Sequence, residues 1–533
     1  MPSAPGGLGE FNAGSIRRNH FCMGVKRGKK YVCGGDANED AINNAVDLLI
    51  EAVNRIQRWR VWDSWWIKEI ISKWLEKRDR LEQQLKNKYG KDVVSIITGL
   101  VDKFINYNEQ LLNYWREVGG EVKRLIEDLL NGRAEVIIWS NEEGVSVYYG
   151  CATLKIERTR TGGIIVQLSL KGLGGVTIRV PDVFKKTMSR EEYRRFIKKV
   201  LRALRGGLEE ADGTIKDGKA AMGTAQIWQV IVWLLLYPGK AHVLVDTINV
   251  NENDVTMTYY LRSSHEPLKG KILNNADKLG EEELLAFMLG VVLGDGYADV
   301  EKLKINGRAY DEAVVKITMS GEELDAWKPL LMRLRSMGFN WRPVPIGDGA
   351  VDVRFYGGNA IDLARAMINV LPSVLKDVFN ALDFEKWINL RRIAEIKMKW
   401  RRGEAQINVA GYGFTVDVHK NTVWLKHKVK GDAEVKMVVD ALRVRYGDGF
   451  AVNIHKSGRY RVVAIPMCMI EKYEDIKEKV IEVLCRKLEK TKNEEKRQII
   501  IKHLKQLAPT EGAAAADYPE GFIQDQAQIK GHR

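Results

Sequence analysis

One segment near the middle of the chain constrains the fold most: an apolar helix with glycines on one face and an aspartate at its end. The segment GEEELLAFMLGVVLGDGYAD covers Gly280–Asp299. Three glutamates open it, where the helix dipole favours negative charge, and the residues that follow are apolar on nearly all sides, which predicts burial. Small residues four apart allow two helices to approach backbone to backbone. We therefore expect helix packing through Gly290, Gly294 and Gly296.

The aspartate at the end of this helix, Asp295, predicts a particular chemistry. Two such helices that cross closely would bring two aspartates together, and their charges would repel unless divalent cations were bound between them. Metals held in this way activate water and stabilise the leaving oxygen in phosphodiester cleavage. Carboxylate oxygens favour Mg²⁺ over Zn²⁺. We expect Asp295 to be a catalytic residue and metal ligand, with Mg²⁺ as the cofactor.

The motif MLGVVLGDG (Met288–Gly296) resembles the LAGLIDADG motif of homing endonucleases, in its variant LLGLLLGDG. The resemblance covers about 100 of the 533 residues. It implies an αββαββα half-domain at residues 271–378, whose four strands form a saddle that contacts double-stranded DNA. The predicted strands and helices after the motif follow that order. GDG also occurs at Gly347–Gly349 and Gly447–Gly449, where it is interpreted as a turn.

Residues 379–490 repeat the same order of predicted elements at an offset of about 100 residues. This predicts a degenerate second αββαββα half, and hence a monomeric pseudo-dimer. The helix that should carry the second motif lacks paired glycines, and its nearest terminal acid, Glu404, is out of register. Three alternatives remain open: Glu404 is the partner catalytic acid, a homodimer supplies a second Asp295, or the site is degenerate.

The rest of the chain completes an α+β fold class. Residues 1–37 are interpreted as mostly disordered, 38–132 as a long helical hairpin or coiled coil, 133–270 as a middle α+β domain, and 491–533 as a helical end with a flexible tail. The apolar run Ile227–Tyr237 is too short to cross a bilayer. Five cysteines without a CxxC pair argue against a disulfide framework. A Zn²⁺ site from His20, Cys22 and Cys33 is a minor alternative.

The net charge of +14 favours an anionic partner. It is concentrated in two windows, Lys185–Arg205 and Arg391–Lys430, each with a net charge of +7. Basic and aromatic residues interleaved on strands suit phosphate and groove contacts, although a solvated surface has the same composition. The residues predicted to bind DNA are Lys198, Lys199, Lys316, Arg354, Arg391, Arg392, Lys397, Lys399, Arg401, Arg402, His419, Lys420, Lys426 and Lys428.

Features spread along much of the chain resemble the archaeal PaREP paralogous-repeat family, branch two-b. The resemblance rests on GTAQIWQVIVWLLLYPGKAHVLVD (Gly223–Asp246), TYYLRSSHEPLKG and the MLGVVLGDGYAD block, and spans residues 130–490. Members are multicopy, variable in length and without an established biochemical function. That history suits decayed nucleases of mobile-element origin.

The leading hypothesis is a homing-endonuclease-like DNA-binding protein, acting as a Mg²⁺-dependent DNA endonuclease if catalysis is retained. The alternative is a non-catalytic DNA-binding or regulatory protein on the same fold. Two weaker hypotheses are a different nuclease signature in Pro181-Asp182 with Asp217-Gly218-Lys219, and a structural scaffold built on the helical hairpin. We expect an intracellular, cytoplasmic protein, associated with the nucleoid if it binds DNA, and no membrane partner.

Overall fold

The computed structural model describes residues 13–508, apart from Lys29, Glu142, 160–161, Leu173, 306–307, Asp348, 397–404, Arg459 and Lys492. The fold is α+β, which confirms the predicted class. The chain divides into two compact units, Met1–Ile396 and Lys397–Arg533. Within the described residues, no helix combines the length and the apolar character needed to cross a membrane.

The described part of residues 1–37 is structured, and the expectation of disorder is wrong for it. It forms a short helix and an antiparallel pair of strands: α1 (Ala13–Ile16), β1 (His20–Arg27) and β2 (Lys30–Asp36). β1 also pairs in parallel with the strand Glu135–Ile138, and Cys22 is disulfide-bonded to Cys33. A glycine-rich composition does not predict pairing with a strand more than 100 residues away. An odd number of cysteines does not predict that two of them form a disulfide.

The predicted helical hairpin is built from three helices, α2 (Glu39–Arg58), α3 (Trp65–Leu85) and α4 (Lys91–Leu130). The helical conformation is interrupted between α2 and α3, where Arg60 adopts a positive φ of 44°. Two tryptophans of α3, Trp66 and Trp74, are buried in the core. Trp66 packs edge-on against Trp115, with ring centroids 5.0 Å apart, and Trp74 stacks on Phe104 at 4.7 Å. These rings therefore hold α3 against α4.

Five strands follow α4, and after them come the helices and strands of residues 184–278. The strands are β3 (Glu135–Ile138), β4 (Gly144–Tyr149), β5 (Ala152–Arg158), β6 (Ile164–Leu170) and β7 (Val176–Val180). The next elements are α5 (Phe184–Thr187), α6 (Arg190–Phe196), a π-helical turn (Ile197–Leu201), α7 (Arg202–Ala211), β8 (Gly213–Lys216), β9 (Lys219–Thr224), α8 (Ile227–Leu236), β10 (Gly239–Val250), β11 (Val255–Ser263) and a 3₁₀ helix (Leu273–Lys278).

The last part of the first unit begins with the glycine-faced helix. It contains α9 (Glu281–Gly294), β12 (Tyr297–Ile305), β13 (Arg308–Ser320), α10 (Gly321–Ser336), β14 (Arg342–Gly347), β15 (Ala350–Tyr356), α11 (Gly358–Asn369), α12 (Ser373–Leu382) and α13 (Glu385–Glu395). Because α12 and α13 belong to this unit, the boundary falls after Ile396 and not at the predicted residue 379.

Strand order reveals an internal repeat within the first unit. One sheet of the described residues has the order β12-β13-β15-β14. A larger sheet has the order β2-β1-β3-β4-β5-β6-β10-β11-β9-β8, with β7 also paired to β10. In the segments 202–263 and 281–356, the first strand pairs with the second, the second with the fourth, and the fourth with the third. Each set follows a helix, α7 or α9. The repeat partner of the α9 segment therefore precedes it in the chain.

The second unit has its own core and its own sheet. Its elements are β16 (Gln406–Val409), β17 (Tyr412–Val418), β18 (Val423–Val429), α14 (Asp432–Tyr446), β19 (Asn453–Ser457), β20 (Tyr460–Ile465), α15 (Met467–Lys472), α16 (Glu474–Lys490) and α17 (Glu494–Leu507). The strand order β17-β18-β20-β19 matches the order found twice in the first unit. The helix predicted to carry its motif, α13, belongs to the first unit.

Candidate active site

Two helices, α7 and α9, pack directly on each other in the core of the first unit. A Cβ atom added to Gly290 would lie 2.5 Å from the carbonyl oxygen of Leu204 and 2.8 Å from the amide nitrogen of Leu208. A Cβ atom added to Gly294 would lie 3.1 Å from the Oδ2 atom of Asp212. Any larger side chain at these positions would push the helices apart, so the glycines fix the distance between the helix ends.

The close packing brings two aspartates together, Asp212 and Asp295. Asp212 is the C-cap residue of α7, and Asp295 is the C-cap residue of α9. Their carboxyl groups lie within hydrogen-bonding reach of each other. Asp295 is exposed, whereas Asp212 is half-buried. Burial, followed by the negative charge of Asp295, raises the pKa of Asp212 to about 6.

A buried amide orients Asp212 from the side of α8. The Gln229 Nε2 atom donates a hydrogen bond to the Asp212 Oδ2 atom at 2.6 Å. The hydroxyl of Thr224 donates in turn to the Oε1 atom of Gln229, which fixes the direction of the amide. Gln229 is 7% exposed, so this support is rigid. One oxygen of Asp212 is therefore engaged by the protein.

A lysine from α13 completes the cluster. The Lys386 ammonium donates a hydrogen bond to the carbonyl oxygen of Gly294, the last residue of α9. Burial lowers the pKa of Lys386, and the negative charges of Asp212 and Asp295 oppose that effect. The same ammonium lowers the pKa of Asp212. The cluster thus has two carboxylates, one cation and a helix-end carbonyl.

The residues fit a divalent cation. Two carboxylates at the ends of fixed helices offer hard oxygen ligands, and Mg²⁺ is commonly held by one or two carboxylates together with water and substrate phosphates. Burial is the larger cause of the raised pKa of Asp212, and the negative charge of Asp295 adds to it. Among the described residues, Cys22, Cys33 and Glu135 lie close enough together for their side chains to share a metal ion. His20 is not part of that group, and the disulfide occupies both thiols.

The acid next to Asp295 in the structure is one that was not predicted from the sequence. Glu404 lies outside the described residues, and the acid beside Asp295 is Asp212 of the same chain. The sequence does contain a pattern that indicates this partner. Small residues and an Asp-Gly dipeptide occur at the end of α7 with the same spacing as in the α9 motif. The equivalent pairs are Gly207/Gly290, Ala211/Gly294, Asp212/Asp295 and Gly213/Gly296. The basic window Lys185–Arg205 overlaps the start of α7, so the composition of this segment indicates a charged surface and not a buried helix.

Two residues predicted to bind DNA lie on one face of the sheet next to α9. The Asp352 Oδ2 atom accepts hydrogen bonds from Lys316 at 3.0 Å and from Arg354 at 2.6 Å, and Thr318 donates to the other oxygen. Burial would raise the pKa of Asp352, but these bonds outweigh it and lower the pKa. Lys316 also lies over the ring of Tyr297, 5.1 Å from its centroid. Since Tyr297 is two residues beyond Asp295, this face adjoins the acid pair.

The other predicted DNA-binding residues are divided between the two units. Arg391 and Arg392 are exposed on α13, and Arg391 bonds to Asn380 and Glu395. Four more predicted residues lie outside the described part of the chain: Lys397, Lys399, Arg401 and Arg402. Their role stays a prediction.

The predicted basic hairpin lies in the second unit, on β17 and β18 and the turn between them. Asp417 accepts hydrogen bonds from Lys426 at 2.6 Å and pairs with His419 at 3.1 Å. Lys420 and Lys428 are exposed. These four predicted residues belong to the second unit, whereas the acid pair belongs to the first, and their contact with DNA stays a prediction.

Lys198 and Lys199 are exposed on the π-helical turn that precedes α7. With a rise of about 1.5 Å per helical residue, they lie roughly 20 Å from Asp212 along the helix. The minor nuclease signature falls in turns. Asp217 has a positive φ of 50° between β8 and β9, and Asp182 accepts a hydrogen bond from the Phe184 amide at 3.1 Å.

The solved structures similar to this chain include LAGLIDADG homing endonucleases. I-SmaMI bound to cleaved DNA has 11% identity and a TM-score of 0.13, covering 43% of this chain and 95% of that chain. I-AabMI bound to uncleaved DNA has 9% identity and a TM-score of 0.14, covering 41% and 96%. I-GzeII in complex with its DNA target has 9% identity and a TM-score of 0.15, covering 42% and 97%.

No family model matches the chain, and no curated protein matches it. The resemblance to the PaREP family therefore stays a prediction, as does a mobile-element origin.

Proposed function

We propose that this chain is a homing-endonuclease-like protein of the LAGLIDADG type that binds double-stranded DNA and hydrolyses its phosphodiester bonds with Mg²⁺. The observation that carries the proposal is the acid pair. Asp212 and Asp295 cap two helices that pack through Gly207 and Gly290, and each helix leads into a four-stranded set of the same strand order. The pair is formed within one chain, which supports a monomeric pseudo-dimer.

The division of labour between the two acids follows from their surroundings. Asp295 is exposed and open to a substrate phosphate, whereas Asp212 is half-buried and held by Gln229. Together they would hold the Mg²⁺ ion. The bound ion supplies Lewis-acid stabilisation of the leaving oxygen and lowers the pKa of a water molecule.

The two sets of strands supply the DNA-binding surface of this proposal, in the arrangement of a saddle. Lys316 and Arg354 are held on one set of strands by Asp352. In the first repeat, β9 and β11 are equivalent to the strands that carry these residues, and they would form the other side of the DNA-binding surface. Basic side chains at this position contact phosphates and groove edges. Because Lys316 lies over Tyr297, DNA bound on the sheet passes next to Asp295.

A second candidate function is a non-catalytic DNA-binding protein on the same fold. The specific observation that favours it is Lys386, whose ammonium offsets part of the charge of the acid pair. In that case the pair acts as a structural ion cluster between the two repeats.

A cleavage assay separates the two candidates. Genomic DNA fragments are incubated with Mg²⁺ and the wild type, Asp212→Asn, Asp295→Asn, or the control Asp47→Asn, an exposed acid on α2. We expect both site variants to lose cleavage by a factor of about 100 or more while DNA binding persists, and the control to cleave like wild type. Equal cleavage by wild type and Asp295→Asn would overturn the endonuclease proposal. Binding without cleavage by every protein would establish the second candidate.

A further inference from the structure

Lys386 reaches the acid pair from outside both repeats. α13 follows the last strand of the second repeat by two intervening helices, and it packs against α9, α11 and β12. Its start is anchored on the first repeat as well, since Phe384 stacks on Trp228 of α8 with ring centroids 4.0 Å apart. Lys386 therefore touches a site whose two carboxylates come from different repeats.

The helix that carries Lys386 is held firmly. Trp387 is 1% exposed, its Nε1 atom donates to Asn380 at 2.8 Å, and its ring packs edge-on against Phe379 at 5.1 Å. Because Trp387 anchors the helix, a change in the position of the Lys386 ammonium requires only a change of side-chain rotamer. Its four-carbon stem and compact charge allow the ammonium to swing away from a site without displacing the helix.

The ammonium lies where a metal would find its ligands. It donates to the Gly294 carbonyl oxygen, a helix-end acceptor that favours a cation. It also interacts electrostatically with Asp212 and Asp295. A set of carboxylate and carbonyl oxygens is the same ligand set that Mg²⁺ and Mn²⁺ select, so the ammonium and a divalent cation compete for one negative potential.

We infer that Lys386 is a built-in counter-ion of the Asp212–Asp295 pair, and that a divalent cation must displace its ammonium to bind there. The inference rests on the proposed function, since it assumes that the pair takes a metal. Lys386 then sets the metal affinity of the site. It also stabilises the metal-free protein, because without it the two neighbouring carboxylates would have no lysine cation to offset their charge.

Calorimetric titration with Mn²⁺ tests the inference on the full chain without DNA. The proteins are the wild type, Lys386→Met, Lys386→Gln and the control Lys376→Met, a partly buried lysine on α12. Lys386→Met is expected to bind Mn²⁺ about tenfold more tightly than wild type, because a positive charge leaves the site. Lys386→Gln should also bind Mn²⁺ more tightly than wild type, and it replaces Lys386→Met in the titration if the methionine variant fails to fold. The control should match wild type.

Thermal unfolding provides a readout that does not depend on binding heats. In the presence of a chelator, Lys386→Gln should unfold at a lower temperature than wild type, and saturating Mn²⁺ should raise its Tm more than that of wild type. Unchanged or weaker Mn²⁺ affinity in both Lys386 variants, with binding still lost in Asp295→Asn, would overturn the inference and leave the proposed function intact. Absence of Mn²⁺ binding in wild type and in both variants would overturn both.

Discussion

A Cβ atom added to Gly207 would lie 3.0 Å from the Cα atom of Gly290. The two glycines occupy equivalent positions in the internal repeat, each five residues before the capping aspartate. Their contact is what allows α7 and α9 to end side by side. The chemistry at Asp212 and Asp295 therefore depends on the absence of side chains one to two turns earlier in each helix.

Replacement of Gly290 by alanine tests this dependence. In an open helix position, glycine to alanine stabilises by up to about 1 kcal/mol. At Gly290 the new methyl group would meet the backbone of Leu204 and Leu208, so we expect Gly290→Ala to destabilise by roughly 1–3 kcal/mol. The free energy of unfolding in urea, followed by circular dichroism, measures the effect.

A matched control exists on α4. Gly99 is also a helical glycine, and an added Cβ atom there meets no atom within 4 Å. Gly99→Ala should leave the protein unchanged or slightly more stable. If both alanine variants were equally stabilised, the close packing of α7 on α9 would be refuted.

The location of the DNA-binding surface predicts the salt dependence of binding. Each phosphate contact that is lost reduces the slope of log K against log salt by about 1. We expect this reduction for Lys316→Gln and for Arg354→Gln, since both residues lie on the sheet beside Asp295. Fluorescence anisotropy with duplex DNA at several salt concentrations measures the slope.

Lys198→Gln and Lys199→Gln should leave that slope unchanged, because these lysines precede Asp212 by several helical turns. The comparison controls for the general loss of positive charge. A slope that falls for the Lys198 and Lys199 variants but not for the Lys316 and Arg354 variants would assign DNA binding to the basic window Lys185–Arg205.

A half-buried histidine predicts a pH dependence of stability. His265 lies beside Tyr237, with ring centroids 5.6 Å apart, and burial together with the charges of Arg205 and Lys219 lowers its pKa to about 4. The unfolded chain then binds this proton at a higher pH, near 6.5, than the folded protein does. The histidine therefore costs no stability above pH 6.5 and destabilises progressively as the pH falls from 6.5 towards 4.

The pH effect can be isolated with His265→Asn. Between pH 7 and pH 4.5, the wild type should lose roughly 1–2 kcal/mol more of its free energy of unfolding than this variant does. His455→Asn, at an exposed histidine of β19, should follow the wild type. Parallel pH profiles for wild type and His265→Asn would contradict the burial argument.

The sequence predicted the parts of the site that depend on local pattern. The motif alone predicts that α9 is buried and that its glycines pack against another helix. An all-apolar helix has to be buried, and small residues four apart allow a second helix to approach closely. The strands that follow it were also predicted, since alternating apolar residues are a local signal.

The partner of Asp295 was missed because its helix carries competing signals. α7 contains Arg202, Arg205, Glu209 and Glu210 around its glycines, so it does not have the uniform apolar character of α9. Glu209 is fully buried, where it accepts hydrogen bonds from the hydroxyl of Tyr237 and from the backbone of Leu268. A charged residue satisfied in this way in a core cannot be distinguished from a solvated one by composition. The region after α9 contributes Lys386 to the site, and not a second acid.

The most direct test of the central claim is to locate the metal on the polypeptide. Carboxylate sites that take Mg²⁺ also accept Fe²⁺, and Fe²⁺ with ascorbate and peroxide cleaves a polypeptide close to the bound ion. We predict two cuts in the same reaction, at Asp212-Gly213 and at Asp295-Gly296, identified by mass spectrometry of the fragments. Excess Mg²⁺ should suppress both cuts, and either Asp212→Asn or Asp295→Asn should abolish both. Cutting near only one of these positions, or cutting that survives in Asp212→Asn, would contradict a metal site shared by the two helices.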